Sequence, residues 1–556
     1  MLGSTSDPTT TMLAICLAFG LALVMIYVHD TVIYHRSNTQ SEQNQVPPKY
    51  PTLIPYLGNI FPFLLDCPSF IQRATSYAGQ LTSSRIAAAP GLNVYLFQDR
   101  ETIKRIWKKS AVMCAGRVHV YACKYMFGMP EKSLALYAAD NSGPFPKPYP
   151  GSNVLPQNRI HRILNDGIEA ALTGPGFDPT LQRFRKAFML QISQLKIHEE
   201  WIEVSDFRKF VHETVGSSLL QAIFGPGLLL VNPNLVDDLF EFDQALPWLA
   251  KGLPAIFLPK PYAVRRRLHS AFKSWYAYAR KHFSEEQISE DGDGDPSWGS
   301  AWMRHRQQTL GQIKDEDTLA AGDLGVAWAS IANVVSASTL ALVHVAEESD
   351  LALRMQEEVR SEFDGQSLAD IDLKKLTSNP FLSSIYAETL RLHVKSFTIA
   401  SAPLQDVPLG RFILPKGDLG LINSYISHMD DTFWNTRNGC HPLQEFWAER
   451  FLIDPADPTS GPSKTTHRQQ PRDQSTNGKP FFSLKGLEGS WIPYGGGQLI
   501  CPGRFLAKSV MIFTCILLLR EFDIEILTRE IRFSTRSFGF GTEIPNHPIR
   551  VRMRRR

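Results

Sequence analysis

Three consecutive glycines, Gly495 to Gly497, stand just before Gln498-Leu499-Ile500-Cys501, and Pro502-Gly503-Arg504 follow the cysteine. Successive glycines place backbone where a side chain would collide with something broad and flat. Pro502 suits the first turn of a helix, and Phe505 to Leu519 continues as an apolar helical run. This predicts Cys501 at a helix amino terminus, where free N–H groups and the helix dipole favour a thiolate. A thiolate with room cleared beside it is what an axial haem ligand requires, so Cys501 is the predicted iron ligand. The plainer reading, a buried helix cysteine, suits Cys515 between Thr514 and Ile516.

The remaining cysteines lie scattered at positions 16, 67, 114, 123 and 440. No pair has the spacing of a zinc or redox site, and a total of seven argues against a disulfide framework. That usage fits the cytosol or the cytosolic face of a membrane. A net charge of +3 over 556 residues exerts no global pull on nucleic acid, and none is expected as a partner.

Met12 to Val28 is an unbroken apolar run, extended past His29 and Asp30 by Val32, Ile33 and Tyr34. It reaches the roughly 20 residues a helix needs to cross a bilayer. No Lys or Arg precedes it and no small-residue cleavage site follows promptly, which favours an anchor over a cleaved signal. His35, Arg36 and Lys49 follow the run, whereas Asp7 is the charged residue before it, so the carboxy-terminal bulk is expected in the cytosol. Pro47, Pro48, Pro51 and Pro55 then predict stiff extended chain. The expected organisation is a single-span anchor over 1–36, a proline-rich linker over 37–59 and a catalytic domain over 60–556.

Within that domain, Arg85–Ala89 and Asn93–Phe97 read as a hairpin around Pro90-Gly91. Ser284 to Trp298, acidic and glycine-rich, reads as a surface loop, and Pro455 to Ser490 as either a long disordered insertion or a functional loop. The rest is mostly helical by its three- and four-residue apolar spacing, without alternation of strands and helices. The expected fold class is mainly α with small β-sheets.

The cysteine loop resembles the haem-binding loop of the cytochrome P450 family, with Tyr494, Gly497, Cys501 and Gly503 at its pattern positions. The leading aromatic there is usually Phe, and Leu499 stands where a basic propionate-binding residue is usual. Glu388 and Arg391 lie three apart on a predicted helix and so share a face. Phe446-Trp-Ala-Glu-Arg450-Phe451 resembles a second family segment, with Ala448 in place of Pro. The resemblance implies that Glu388, Arg391 and Arg450 form a structural network under the haem.

Ala327 to Ser338 lies within a long apolar helix predicted over Thr318–Val345. Most family members carry an acid followed by a threonine on the equivalent helix, near Val334 and Val335 here. Asn333 is the strongly polar side chain at that point, and an unpaired amide in an apolar helix costs stability, which favours a functional or bridging role. The Trp-Ala-Ser and Asn333 arrangement is similar to the branch holding sterol 7α-hydroxylase, sterol 12α-hydroxylase and prostacyclin synthase. Phe242 to Pro254 resembles that branch's substrate-channel segment. Ala400 stands where the branch usually has a propionate-binding arginine, and Arg162 is the candidate replacement.

The resemblance implies a cytochrome P450 fold holding haem b, iron protoporphyrin IX with an axial thiolate. It assigns Cys501 to the iron, Tyr494, Gly495, Gly497 and Arg162 to the cofactor, and Asn333 to a catalytic role, ordering a water. The implied reaction is insertion of oxygen from dioxygen into a lipophilic substrate, such as a sterol, terpenoid or other secondary metabolite, as in fungal biosynthetic pathways. NADPH–cytochrome P450 reductase is the implied electron donor, with cytochrome b5 as an accessory and the endoplasmic reticulum membrane as the location. Lys104, Arg105, Lys108, Lys109, Lys485, Arg504 and Lys508 are candidates for a basic donor-docking face. The alternatives are a reductase-independent peroxide isomerase of the prostacyclin synthase type and, from another class, a membrane scaffold without a cofactor.

Overall fold

The structure is a computed structural model that describes residues 8–39, 45–52, 54, 57–77, 81–89, 91–113, 116–309, 315–363, 366–464 and 478–556. The chain divides into two compact units. The first comprises Met1–Ala115, Phe397–Ser427 and Gly497–Leu499, and the second the remainder.

The first unit begins with helix α1, Pro8–Thr39. Its most apolar stretch has a mean hydropathy of 2.5, and none of that stretch is buried. The helix runs beyond the expected anchor boundary, and its last turns are docked. Tyr34 is completely buried, its ring 5.0 Å from that of Tyr77, and Asp30 pairs with Lys49 at 3.6 Å. The chain at Pro48 and Tyr50 is extended, as its prolines require, and is hydrogen-bonded to Arg85 on both sides. Pro55 lies outside the described residues.

The expected hairpin is present as β1, Ser84–Ala89, and β2, Leu92–Leu96, with Ile86 opposite Val94. Gly91 takes the left-handed φ of 73° in its turn. β3, Val394–Ser401, crosses from one unit to the other along the chain. In the first unit, its residues Phe397–Ser401 pair antiparallel with β4, Leu419–Asn423, which lies parallel to β2. Phe70, Ile71, Ile86, Val94, Leu96 and Leu421 form this unit's core.

The second unit is mainly helical. Its longest helix, α2, spans Glu316–Glu347, slightly longer than its apolar run predicts because Asp315 caps it by accepting the Asp317 N–H at 3.1 Å. α2 is long and apolar enough to cross a bilayer, yet 72% of its most apolar stretch is buried in protein, so it is a core helix. Helix α3, Pro380–His393, starts with proline at its first position and the Asn379 side chain capping Leu382 N. Helix α4, Arg504–Glu521, buries Val510, Phe513, Ile516 and Leu518. Burying a side chain of that size contributes about 1.5–3 kcal/mol. Strand β5, Phe540–Thr542, pairs with Val394–Ser396 of β3, and Phe522–Ile526, Val551–Arg555 and Ile202–Val204 form a small separate sheet.

Two expectations about loops change. In the segment Ser284 to Trp298, Asp293, Asp295, Ser297 and Trp298 are buried. The Trp298 ring packs 5.2 Å from Trp275, and the carboxylates are drawn in with it, Asp293 onto Arg183 and Asp295 onto Arg304, each at 2.6 Å. The expected insertion over Pro455–Ser490 is ordered at its flanks, where Leu452–Ile453 pairs with Phe481–Phe482, and its residues 465–477 lie outside the described residues.

Candidate active site

The cysteine loop is closed by one backbone hydrogen bond, Cys501 N–H to the Tyr494 carbonyl at 2.9 Å. It is fastened to the second unit at two further points. Trp491 Nε1 donates to Ala387 O at 3.1 Å, and Ile492 N–H donates to His428 Nε2 at 3.1 Å. Gly495 and Gly497 hold left-handed φ values of 71° and 59°. Within the first unit, a Cβ on Gly497 would strike Ser110 Oγ and sit 2.6 Å from the Trp107 carbonyl, so that glycine is required sterically. α4 starts later than expected, at Arg504: Gly503 is its cap and Pro502 precedes the cap.

Cys501 is exposed, while Cys123 and Cys515 are buried, their thiols pushed up to about 12 by burial. Cys114 lies outside the described residues. Protein packed around the Cys501 sulfur pushes its pKa up, opposed by the Gly503 N–H and the Arg504 guanidinium. The helix-start donors thus act in the expected direction without prevailing, and a coordinated cation is what would complete the thiolate. A soft sulfur donor on an exposed residue just ahead of a helix fits an iron porphyrin.

The expected network is present around Glu388. Arg391 donates to its two oxygens from Nε at 2.7 Å and Nη2 at 2.8 Å, and Arg450 Nε donates at 2.9 Å. All three side chains are fully buried. Burial alone would raise the Glu388 carboxyl, but Arg391 and Arg450 hold it below the usual range. The spare guanidinium donors go to carbonyls, Arg391 to Leu443 and Arg450 to Asn435, so the cluster is a fully paired scaffold rather than a reactive group.

Two partners of the loop, His428 and Tyr386, carried no signal in the sequence. His428 is fully buried; burial and then Arg391 hold its pKa down to about 3, leaving a neutral ring that accepts from Ile492. Tyr386 donates to the Tyr494 hydroxyl at 3.0 Å, which gives the tyrosine in the usual Phe place a partner. Lys508, expected on a basic face, packs over the rings of Tyr386 and Phe482 at 5.6 and 5.1 Å. Burial lowers its pKa to about 8.

Through the middle turns of α2 the exposed residues are Ala329 and Asn333, four residues apart on one face, among buried and half-buried neighbours. Asn333 Oδ1 accepts the Thr542 N–H at 2.8 Å, and Thr542 Oγ1 donates to the Asn333 carbonyl at 3.2 Å. A Cβ on Gly541, whose φ is 141°, would collide with the same carboxamide. Asn333 also lines a small cavity of about 10 Å³, room for about one water, with Trp328, Ser336, Phe540 and Thr542. Asp243, Leu246 and Pro247 of the expected channel segment line it as well. The Asp243 carboxylate is consumed by Arg208 at 2.6 Å and Trp328 Nε1 at 2.9 Å, so the charge inside the wall is paired.

Arg162, on the helix Ile160–Leu172, pairs with Asp166 one turn on and donates to the Pro144 carbonyl at 3.3 Å. Arg159 is buried and donates to Ser142 Oγ and the Pro146 carbonyl.

The family model described as Cytochrome P450 matches residues 204–551. The chain is 30% identical over 539 residues to the cytochrome P450 monooxygenase efuG of Hormonema carpetanum, covering 94% of this chain and 92% of that protein. It is 30% identical over 525 residues to the cytochrome P450 monooxygenase fsoE of Humicola fuscoatra, covering 92% and 88%. Cytochrome P450 7A1 of Sus scrofa is 26% identical over 338 residues, 57% of this chain and 58% of that protein.

Proposed function

The chain belongs to the cytochrome P450 family and is a monooxygenase, and on that premise we propose that Cys501 is the axial ligand of a haem b and that the substrate is a lipophilic secondary metabolite. The observation that carries the assignment is Cys501, an exposed residue just ahead of α4 whose backbone is held by the Tyr494 carbonyl. The haem supplies, when bound, the redox chemistry that activates dioxygen and oxidises an unactivated carbon.

The chain's own residues do the rest. Cys501 donates a sulfur whose position is set by the Tyr494 carbonyl, with Tyr494 held by Tyr386. A backbone N–H only donates, so the Thr542 bond fixes the Asn333 carboxamide with its oxygen towards β5. Its NH₂ is a donor that can order a water in the small cavity Asn333 lines, without titrating. Leu246, Pro247, Trp328 and Phe540 give that cavity apolar walls.

Tyr494, Gly495 and Gly497 shape the cofactor's cradle in this reading, and Arg162 exchanges Asp166 for a propionate. The exposed apolar length of α1 supports a single-pass anchor in the endoplasmic reticulum membrane, with the catalytic domain cytosolic and NADPH–cytochrome P450 reductase as electron donor. Comparing metabolites of a deletion strain with its parent identifies the substrate. NADPH-dependent conversion of that compound by the reconstituted enzyme is the expected result. Turnover without NADPH would overturn the monooxygenase reading in favour of a peroxide isomerase.

A further inference from the structure

Some distance from the cysteine loop, two imidazoles meet. His344 Nε2 lies 2.7 Å from His393 Nε2, and His393 Nδ1 lies 3.2 Å from Glu543 Oε2. Lys395 pairs with the other oxygen of Glu543. Two ring nitrogens at that distance are in contact only if one carries a hydrogen and the other does not. A carboxylate only accepts, so His393 Nδ1 carries its hydrogen towards Glu543. One proton therefore occupies the gap between the two histidines, and the chain of bonds runs from α2 to Glu543.

The surroundings hold this chain in place. Phe446 stacks on His344 at 4.3 Å with rings 6° apart, and Phe533 packs against His393 at 5.3 Å. Glu347 Oε2 stands 4.0 Å from His344 Nδ1. His393 and Glu543 are buried, where a polar chain persists only if its members satisfy one another.

The consequence lies one residue away. Glu543 follows Thr542, whose N–H holds the Asn333 carboxamide, and its own N–H donates to the His393 carbonyl at 2.9 Å. α2 is thus fastened to the end of β5 twice, through Asn333 and, about three turns further along, through His344. We propose that His344 and His393 are positioning residues for Asn333: their shared-proton contact, anchored on Glu543, holds Thr542 where it fixes the carboxamide. The proposal rests on the role given to Asn333 above.

Hydrogen exchange of the Thr542 amide in the full-length, haem-loaded protein reads the clamp directly, since that N–H is the one donated to Asn333. His344→Leu is expected to speed its exchange by about fivefold to tenfold, the loss of one supported hydrogen bond. His344→Gln, which keeps a donor and an acceptor at similar reach, is expected to stay within about twofold of wild type. Glu543→Leu and Glu543→Gln form a second pair with the same expectation, should His344→Leu fail to take up haem. Unchanged Thr542 exchange in the leucine variants, or equal exchange in leucine and glutamine variants, overturns the clamp. Product formed per NADPH should follow the same order, low in His344→Leu and restored in His344→Gln. Failure of the Asn333 reading shows separately, as unchanged product per NADPH in Asn333→Leu whatever the exchange data give.

Discussion

The Asn333 carboxamide oxygen takes the backbone N–H of Thr542 at 2.8 Å, so an amide in the middle of an apolar helix is oriented by a strand 209 residues away. The bond satisfies the amide oxygen, and Asn333 also lines the small cavity beside β5. The bridging role and the catalytic role expected of this residue are therefore compatible, because they use different atoms.

Asn333→Leu should keep the spectrum of thiolate ligation and bind substrate. It should lose product and release the consumed NADPH equivalents as hydrogen peroxide. Removing one positioned polar group from a catalytic site costs about a hundredfold or more in rate. Product formed per NADPH, wild type against variant, is the measurement, and unchanged coupling would reduce Asn333 to a bridge between α2 and β5.

Cys501→Ala should abolish haem incorporation, since Cys123 and Cys515 are buried with raised pKa values and Cys16 and Cys440 sit on α1 and in a surface turn. The reduced, carbon-monoxide-bound protein should lack the red-shifted Soret band of thiolate ligation. A variant that kept the band would assign the iron to another cysteine.

Removing residues 1–36 should release the protein from microsomal membranes while leaving a haem protein that accepts electrons from soluble donors. Because this cut also removes the buried Tyr34, it should lower stability by about 3 kcal/mol relative to a cut before Tyr27, the loss typical of a large core side chain. Thermal unfolding of the two truncations compares them. Pelleting in high salt after truncation would assign a second attachment to Ile256 and Phe257, which are 82% and 70% exposed.

Acid should destabilise the protein well before its carboxylates are protonated. His212 and His428 are buried, and burial holds both down to about 3. Unfolded histidine titrates near 6.5, so the unfolded state binds the extra protons. The stability these two groups preserve is complete above about pH 6.5 and falls by about 1.4 kcal/mol per pH unit for each as pH drops towards their folded values. Protonated His428 also presents N–H to the Ile492 N–H, so the cysteine loop should open first. Denaturant unfolding at pH 7 and pH 5, followed by haem absorbance, checks this; equal midpoints would show that these rings are not buried neutral.

The cysteine loop, the E-x-x-R pair, the anchor and the hairpin were all legible as sequence, because each depends on residues close together in the chain. Glycine where a side chain cannot stand, proline and a cap near a helix start, and a long apolar run are local conditions of backbone geometry and solvation. The acidic segment Ser284–Trp298 was misread for the converse reason: its composition suits water, but Arg183, remote in sequence, together with Arg304 and Trp275, brings it inside.

By itself, then, the sequence determined that a thiol would be presented at the start of α4, that a helix long enough for a bilayer would precede the domain, and that the body would be mainly helical. The tertiary structure alone decided which donor takes the Asn333 oxygen, which histidine supports the cysteine loop and which pair shares a proton. Those choices are hydrogen bonds between groups tens to hundreds of residues apart, and their direction is set by which partner can only donate or only accept once the backbone has brought them together.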